Sequence, residues 1–173
     1  MKNDLYRRAT AMLLFICLIS SAAGMPSAGA AAGQTAFDIR SNVASVRVGD
    51  SFVVTVDGLN LDRLYAYELT LELPSGVAFA SAKARDYLPG GMSVYRQEGY
   101  TLRYGSTKTG QSAGESGALP LAGFTLEANA SGSAEIKLVS VKTLDPELRA
   151  TMHEVQKKIV VEIGSQQGNG NNN

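Results

Sequence analysis

Residues Leu64 to Ala84 read LYAYELTLELPSGVAFASAKA, and the alternation in this stretch decides the fold class. Tyr65, Tyr67, Leu69, Leu71 and Leu73 fall on one parity, while Ala66, Glu68, Thr70 and Glu72 fall on the other. Successive side chains of a strand point to opposite faces of its sheet, so the run predicts a strand with one buried and one wet face. Pro74-Ser75-Gly76 then stops it, because proline removes a ladder donor and glycine admits a turn. A second strand, Val77 to Ala84, follows, with Val77 and Phe79 on one parity. A strand with one solvated face belongs to an antiparallel sheet rather than to a helix-covered parallel one.

Upstream, Gln34 to Arg40, Val43 to Val48 and the β-branched Ser51 to Val56 read as strands, with Gly49-Asp50 as a tight turn. Asp57-Gly58 and Asn60 to Arg63 read as a loop leading into the organising strand. Downstream, Met92 to Gln97 and Tyr100 to Ser106 flank a glycine-bearing connection and predict a hairpin. Thr107 to Gly117 is polar and glycine-rich, a surface loop. Ala118 to Ala128 is apolar, but Pro120 and Gly123 disturb its alternation and point to an edge or a bulge. The strand Ala134 to Val141 shifts parity once, from Ile136 and Leu138 to Val139 and Val141. Asp145-Pro146-Glu147-Leu148 is the one helix start, a single turn with Asp145 as cap. Lys158 to Ile163 closes the domain. The expected organisation is a leader over 1–30, one β-sandwich over 34–163, and a polar linker or tail over 164–173.

The leader carries Lys2, Arg7 and Arg8, then the apolar core Ala11 to Ile19, then small residues ending in Ala28-Gly29-Ala30. This is the pattern of a secretory signal peptide, and its core is shorter than the roughly 20 residues that span a bilayer. The expected location is extracellular. Cys17, the only cysteine, lies inside the leader, so no thiol nucleophile, thiolate metal site or disulfide is available to the rest of the chain. The whole chain has formal charge zero; without Lys2, Arg7, Arg8 and Asp4, 13 basic residues stand against 15 acidic ones. No basic field exists to attract nucleic acid or an anionic membrane.

Parts for catalysis are missing. His153, the only histidine, sits in a polar stretch and reads as a solvated loop residue rather than a base. No His, Cys or carboxylate constellation has metal-ligand spacing. Asp50, Asp57 and Asp62 offer oxygens of the kind calcium takes but lack the dense loop pattern of a dedicated site, and turn capping explains them equally well. Glu68 and Glu72 share a face but stand roughly 13 Å apart by strand rise, beyond the roughly 5–9.5 Å of glycosidase pairs. With no Trp, and Tyr on both parities, a planar aromatic strip for glycan is disfavoured as well.

Certain strings resemble the cohesin domain, the receptor module of cellulosome scaffolding proteins. Val46-Arg47-Val48-Gly49-Asp50-Ser51-Phe52-Val53-Val54-Thr55-Val56 is similar to its valine-rich opening. Leu64 to Leu73 is similar to its third strand, with Val77-Ala78-Phe79 in the place of the next. Leu121 to Ala128 resembles its eighth strand, and Gly132 to Ile136 with Leu144 to Glu154 its late part. The third strand closes with Leu73-Pro74-Ser75-Gly76 where many members have an aromatic-aspartate-proline turn, which leaves the subtype open. The resemblance covers about Phe37 to Ile163.

It implies an all-β, antiparallel, nine-stranded jelly-roll β-sandwich that docks a dockerin-bearing protein, a glycoside hydrolase, in extracellular polysaccharide degradation. The domain is expected to be a monomer with no cofactor of its own; calcium belongs to the dockerin. The binding face is implied to use Ala66, Glu68, Thr70 and Glu72, then Ser93, Tyr95 and Gln97, then Thr101 and Arg103, with Leu119 from the eighth strand. Tyr95 and Arg103 are the favoured anchors, since Tyr and Arg concentrate interface energy. The rival reading is a carbohydrate-binding module of the same architecture that contacts polysaccharide directly.

Overall fold

The alternating run forms a strand, Ala66–Glu72, in the middle of a six-stranded sheet, with Tyr67, Leu69 and Leu71 buried and Glu68 and Glu72 exposed. The computed structural model describes residues 33–165; the leader and most of the tail lie outside these residues. Ten strands occur among them, and no helix. In chain order they are β1 (Ala36–Ser41), β2 (Ser45–Arg47), β3 (Ser51–Leu64), β4 (Ala66–Glu72) and β5 (Val77–Asp86). Then come β6 (Gly91–Glu98), β7 (Thr101–Lys108), β8 (Glu115–Ala128), β9 (Gly132–Leu144) and β10 (Ala150–Gly164). One sheet has the order β1-β3-β8-β5, the other β2-β10-β9-β4-β7-β6. Pairing is antiparallel throughout, apart from the short β2, which runs parallel to β10.

The core fills the space between the sheets. Phe52, Val54 and Val56 of β3 and Phe124 and Leu126 of β8 meet Leu69, Leu71, Leu102, Ile136 and Leu138 from the other side, all essentially without solvent exposure. Each such side chain stabilises the fold by about 1.5–3 kcal/mol relative to exposure. An edge-to-face series runs through this layer: Tyr104 on Phe124 at 5.1 Å, Phe124 on Phe79 at 5.8 Å, and Phe79 on Tyr95 at 5.5 Å. Beside it the Asp86 carboxylate joins the two sheets. It accepts from the Ser106 hydroxyl and from the Leu88 N–H at 3.0 Å. The Tyr67 hydroxyl shares its proton between the Leu121 carbonyl at 2.7 Å and Asp86 Oδ1 at 3.0 Å. Burial, with Asp86 close by, pushes the Tyr67 phenol well above its ordinary pKa.

Several expectations need correction. The Asn60 to Arg63 loop is the continuation of β3, bent where Asn60 and Arg63 adopt positive φ of 51° and 50° and the pairing with β8 slips. The disturbed alternation of β8 marks a bulge at Leu121 and not an edge, for β8 lies between β3 and β5. The parity shift in β9 is likewise a bulge: Thr70 faces Ser140 while Leu71 faces Leu138, so Val139 is the extra residue. The surface loop is shorter than expected, because β7 runs to Lys108 and β8 starts at Glu115.

Asp145 caps no helix. Its carboxylate accepts from the Arg149 N–H at 2.9 Å and Nε at 2.6 Å, and Leu148 at φ 61° turns the chain back. The result is a hairpin into β10, which begins at Ala150 rather than Lys158.

Candidate functional site

The outer face of the six-stranded sheet can be read from register, because residues directly opposite on paired strands share a face. On β4, Ala66, Glu68, Thr70 and Glu72 lie opposite Thr107, Gly105, Arg103 and Thr101 of β7. On its other side they lie opposite Leu144, Lys142, Ser140 and Lys137 of β9. Beyond β7, the residues Thr107, Gly105, Arg103 and Thr101 face Met92, Val94, Arg96 and Glu98 of the edge strand β6. Four rows result, each four strands wide. The first, Leu144-Ala66-Thr107-Met92, is mostly apolar. The second, Lys142-Glu68-Gly105-Val94, has a gap at Gly105, where no side chain separates Glu68 from Val94. Ser140-Thr70-Arg103-Arg96 and Lys137-Glu72-Thr101-Glu98 complete the face.

Six of the ten expected residues are brought together here: Ala66, Glu68, Thr70, Glu72, Thr101 and Arg103. Ala66 forms floor rather than relief, since Leu144 and Thr107 flank its small side chain and leave it 8% exposed. The other four are elsewhere. Ser93, Tyr95 and Gln97 lie opposite Ser106, Tyr104 and Leu102, all buried, so they belong to the inner side of β6. Tyr95 sets its ring edge-to-face on Phe79 and remains 49% exposed only because β6 lies at the margin of the sheet. Leu119 belongs to β8, opposite Gly58 of β3, in the four-stranded sheet. The strand adjoining β4 is β9, and it is β9 that contributes to the face.

What takes the vacated places is Met92, Val94 and Arg96. Met92 and Val94 are 67% and 75% exposed, next to each other in neighbouring rows. Arg96 is drawn to Glu98 on its own strand. Arg103, directly opposite Arg96, makes no ion pair among the described residues. Towards β10 the charges are matched: Glu72 with Lys137 at 3.9 Å, Lys137 with Glu135 at 3.4 Å, and Glu135 with Lys158 at 2.8 Å. The Lys158 hydrogen bond leads in holding the Glu135 carboxyl below its usual pKa. The face therefore grades from paired charges at β9 and β10 to exposed apolar side chains and an arginine pair at β6 and β7. It carries no aromatic side chain.

His153, expected in a solvated loop, is a half-buried residue of β10. Its Nε2 lies 3.1 Å from Thr143 Oγ1 and its ring 5.0 Å from Phe37, and burial lowers its pKa.

No protein-family model matches the chain, and neither does any curated protein. Solved structures do. A non-cellulosomal cohesin from the archaeon Archaeoglobus fulgidus superposes with a TM-score of 0.60 at 18% identity, over 76% of this chain and 94% of that one. The cohesin module of a family 33 glycoside hydrolase from Clostridium perfringens gives 0.62 at 14% identity, over 76% and 99%. A type I cohesin–dockerin complex from Clostridium thermocellum gives 0.58 at 16% identity, over 75% and 99%. The chain has the cohesin fold, a β-sandwich of two packed sheets.

Proposed function

We propose that this protein is an exported, non-catalytic binding module that docks a dockerin-bearing partner on the outer face of β9-β4-β7-β6. The observation that carries this reading is the β6–β7 end of that face, where exposed Met92 and Val94 adjoin the facing pair Arg96 and Arg103. Like charges directly opposite on a sheet are unfavourable in the free protein, and an acidic partner group relieves them. A small apolar cluster beside arginine, rimmed by polar residues, is the composition of a protein-docking patch. The likeness to a cohesin solved with its dockerin supports the class of partner. Direct glycan binding is disfavoured because the flat face offers no aromatic ring for a sugar to stack on. The leader sequence supports action outside the cell, and we assign the partner to polysaccharide-degrading enzymes, with calcium held by the dockerin.

Calorimetry of the chain from Ala31 onward against a panel of dockerin modules, with calcium and then with chelator, tests the reading. Binding is expected with calcium and lost with chelator, and Arg103→Glu is expected to weaken it at least tenfold, about 1.4 kcal/mol. Absence of binding to every dockerin removes the proposal.

A further inference from the structure

At the end of the sandwich where β3 passes into β4 and β9 turns into β10, a cavity of about 380 Å³ opens between the two connections. That is within the range of small-molecule sites. Leu64 and Leu144 line it as apolar surface, with Thr143 and His153 alongside, and Asp62 and Arg149 stand among its more exposed residues. We propose that this cavity binds a single neutral sugar unit.

The chemistry of the lining selects that class. Sugar hydroxyls both donate and accept, so they need partners of both senses converging on one space. Asp62 accepts, Arg149 donates, and the Thr143 hydroxyl and His153 imidazole do either. The pairing of the charges argues against an anionic ligand. Arg63 is paired with Glu147 at 2.6 Å, and Arg149 with Asp145 at 2.6 Å and with Glu147 at 3.3 Å. Both guanidinium charges are thus already met, which disfavours phosphate or a uronate, and their presence disfavours a metal cation. Leu144, half-buried, offers apolar surface to the C–H face of a pyranose ring, while Leu64 is 2% exposed and serves as the floor behind it.

The site is also built in advance. The Arg63–Glu147–Arg149–Asp145 series ties together segments 84 positions apart in sequence, so its ordering cost is met on folding and not on binding. Three of the four non-glycine residues with positive φ among the described residues, Asn60, Arg63 and Leu148, belong to the segments that form this end. Such strained backbone gathers at ligand sites because the surroundings must over-determine it. Gly114 shows how Arg63 is held. A Cβ there would come within 2.4 Å of the Arg63 carbonyl oxygen, and Ser116 Oγ accepts the Arg63 N–H at 3.0 Å.

His153 is the only histidine, so its imidazole signals in a proton NMR spectrum report this cavity without assignment of the rest. The untagged protein is titrated with the methyl glycosides of glucose, galactose, mannose, xylose and N-acetylglucosamine to roughly 50 mM, a range that reveals millimolar affinity. A saturable shift of the His153 signals with at least one of them is expected, weakened at least tenfold by Asp62→Ala and by Arg149→Ala. Asp62 stands outside the Arg63–Glu147–Arg149–Asp145 series, so Asp62→Ala leaves the frame of the cavity intact and isolates the contact itself, whereas Arg149→Ala also loosens that frame. Signals that do not move with any probe overturn the proposal. So does a shift that both variants leave unchanged, since it places the sugar elsewhere.

Discussion

β6 and β7 are paired residue for residue over eight positions, yet only one of them declares its faces. Along β7, Leu102, Tyr104 and Ser106 are buried and Arg103 and Thr107 exposed, because sheet neighbours flank it on both sides and the second sheet covers its inner face. Along β6, every residue from Met92 to Glu98 is exposed, on both parities. The difference is one of position: β6 is the margin of the wider sheet, and its inner side sets Tyr95 against the ring of Phe79. Parity is imposed by burial, so at a margin composition stops reporting it. Tyr95 and Val94 are both apolar in part and both exposed, although one faces inward and the other outward.

The largest expected effect sets the two strands directly against each other. Leu102→Ala removes a fully buried side chain and should cost about 2–5 kcal/mol, read from the midpoint of urea unfolding. Val94→Ala, on the adjacent strand, should fall within about 0.5 kcal/mol of the wild type. Comparable costs for the two would erase the contrast between strands.

A crossed pair of substitutions tests the faces. Tyr95→Ala removes the edge-to-face contact with Phe79 and should lower stability by about 1–2 kcal/mol while leaving dockerin affinity nearly unchanged. Arg103→Ala should do the reverse, with stability held and affinity reduced. If Tyr95→Ala abolishes binding with stability intact, the docking patch reaches around the sheet margin, and the separation into inner and outer sides of β6 is wrong as a guide to function.

Much of the fold was legible for the reason that made β7 legible. The alternation over Tyr65 to Leu73 found the central strand, and the parity slip noted between Leu138 and Val139 falls where the structure has the bulge in β9. The face of β6 was misassigned, because residue type does not report it and only the register does. A two-residue turn pairs odd-numbered residues of β6 with even-numbered residues of β7. The observed turn is Gly99-Tyr100, with Gly99 at φ 57° and Glu98 opposite Thr101. Leu102 and Tyr104 are buried, so Tyr95, opposite Tyr104, joins them on the inner side. Leu119 and His153 were different. Nothing local in Ala118 to Ala128 says which sheet receives it, because its apolar pattern suits either. The strand around His153 carries charged residues, Glu154, Lys157 and Lys158, that masked a β10 of 15 residues.

The smallest expected effect bears on why the outer residues of these two strands are as they are. Arg96 and Arg103 face each other, and like charges directly opposite cost about 0.2–1 kcal/mol. Arg103→Thr should therefore stabilise the free protein by a few tenths of a kcal/mol to about 1 kcal/mol in urea at low ionic strength. The gain should shrink in 1 M salt, where the screening length falls to about 3 Å. Arg96→Thr should gain less, because it also gives up the pairing of Arg96 with Glu98, an exposed contact worth about 0–1 kcal/mol. A variant that gains stability as it loses affinity marks a residue kept for its partner. If Arg103→Thr instead loses stability at low salt, Arg103 supports the sheet, and the arginine pair ceases to point to an acidic partner.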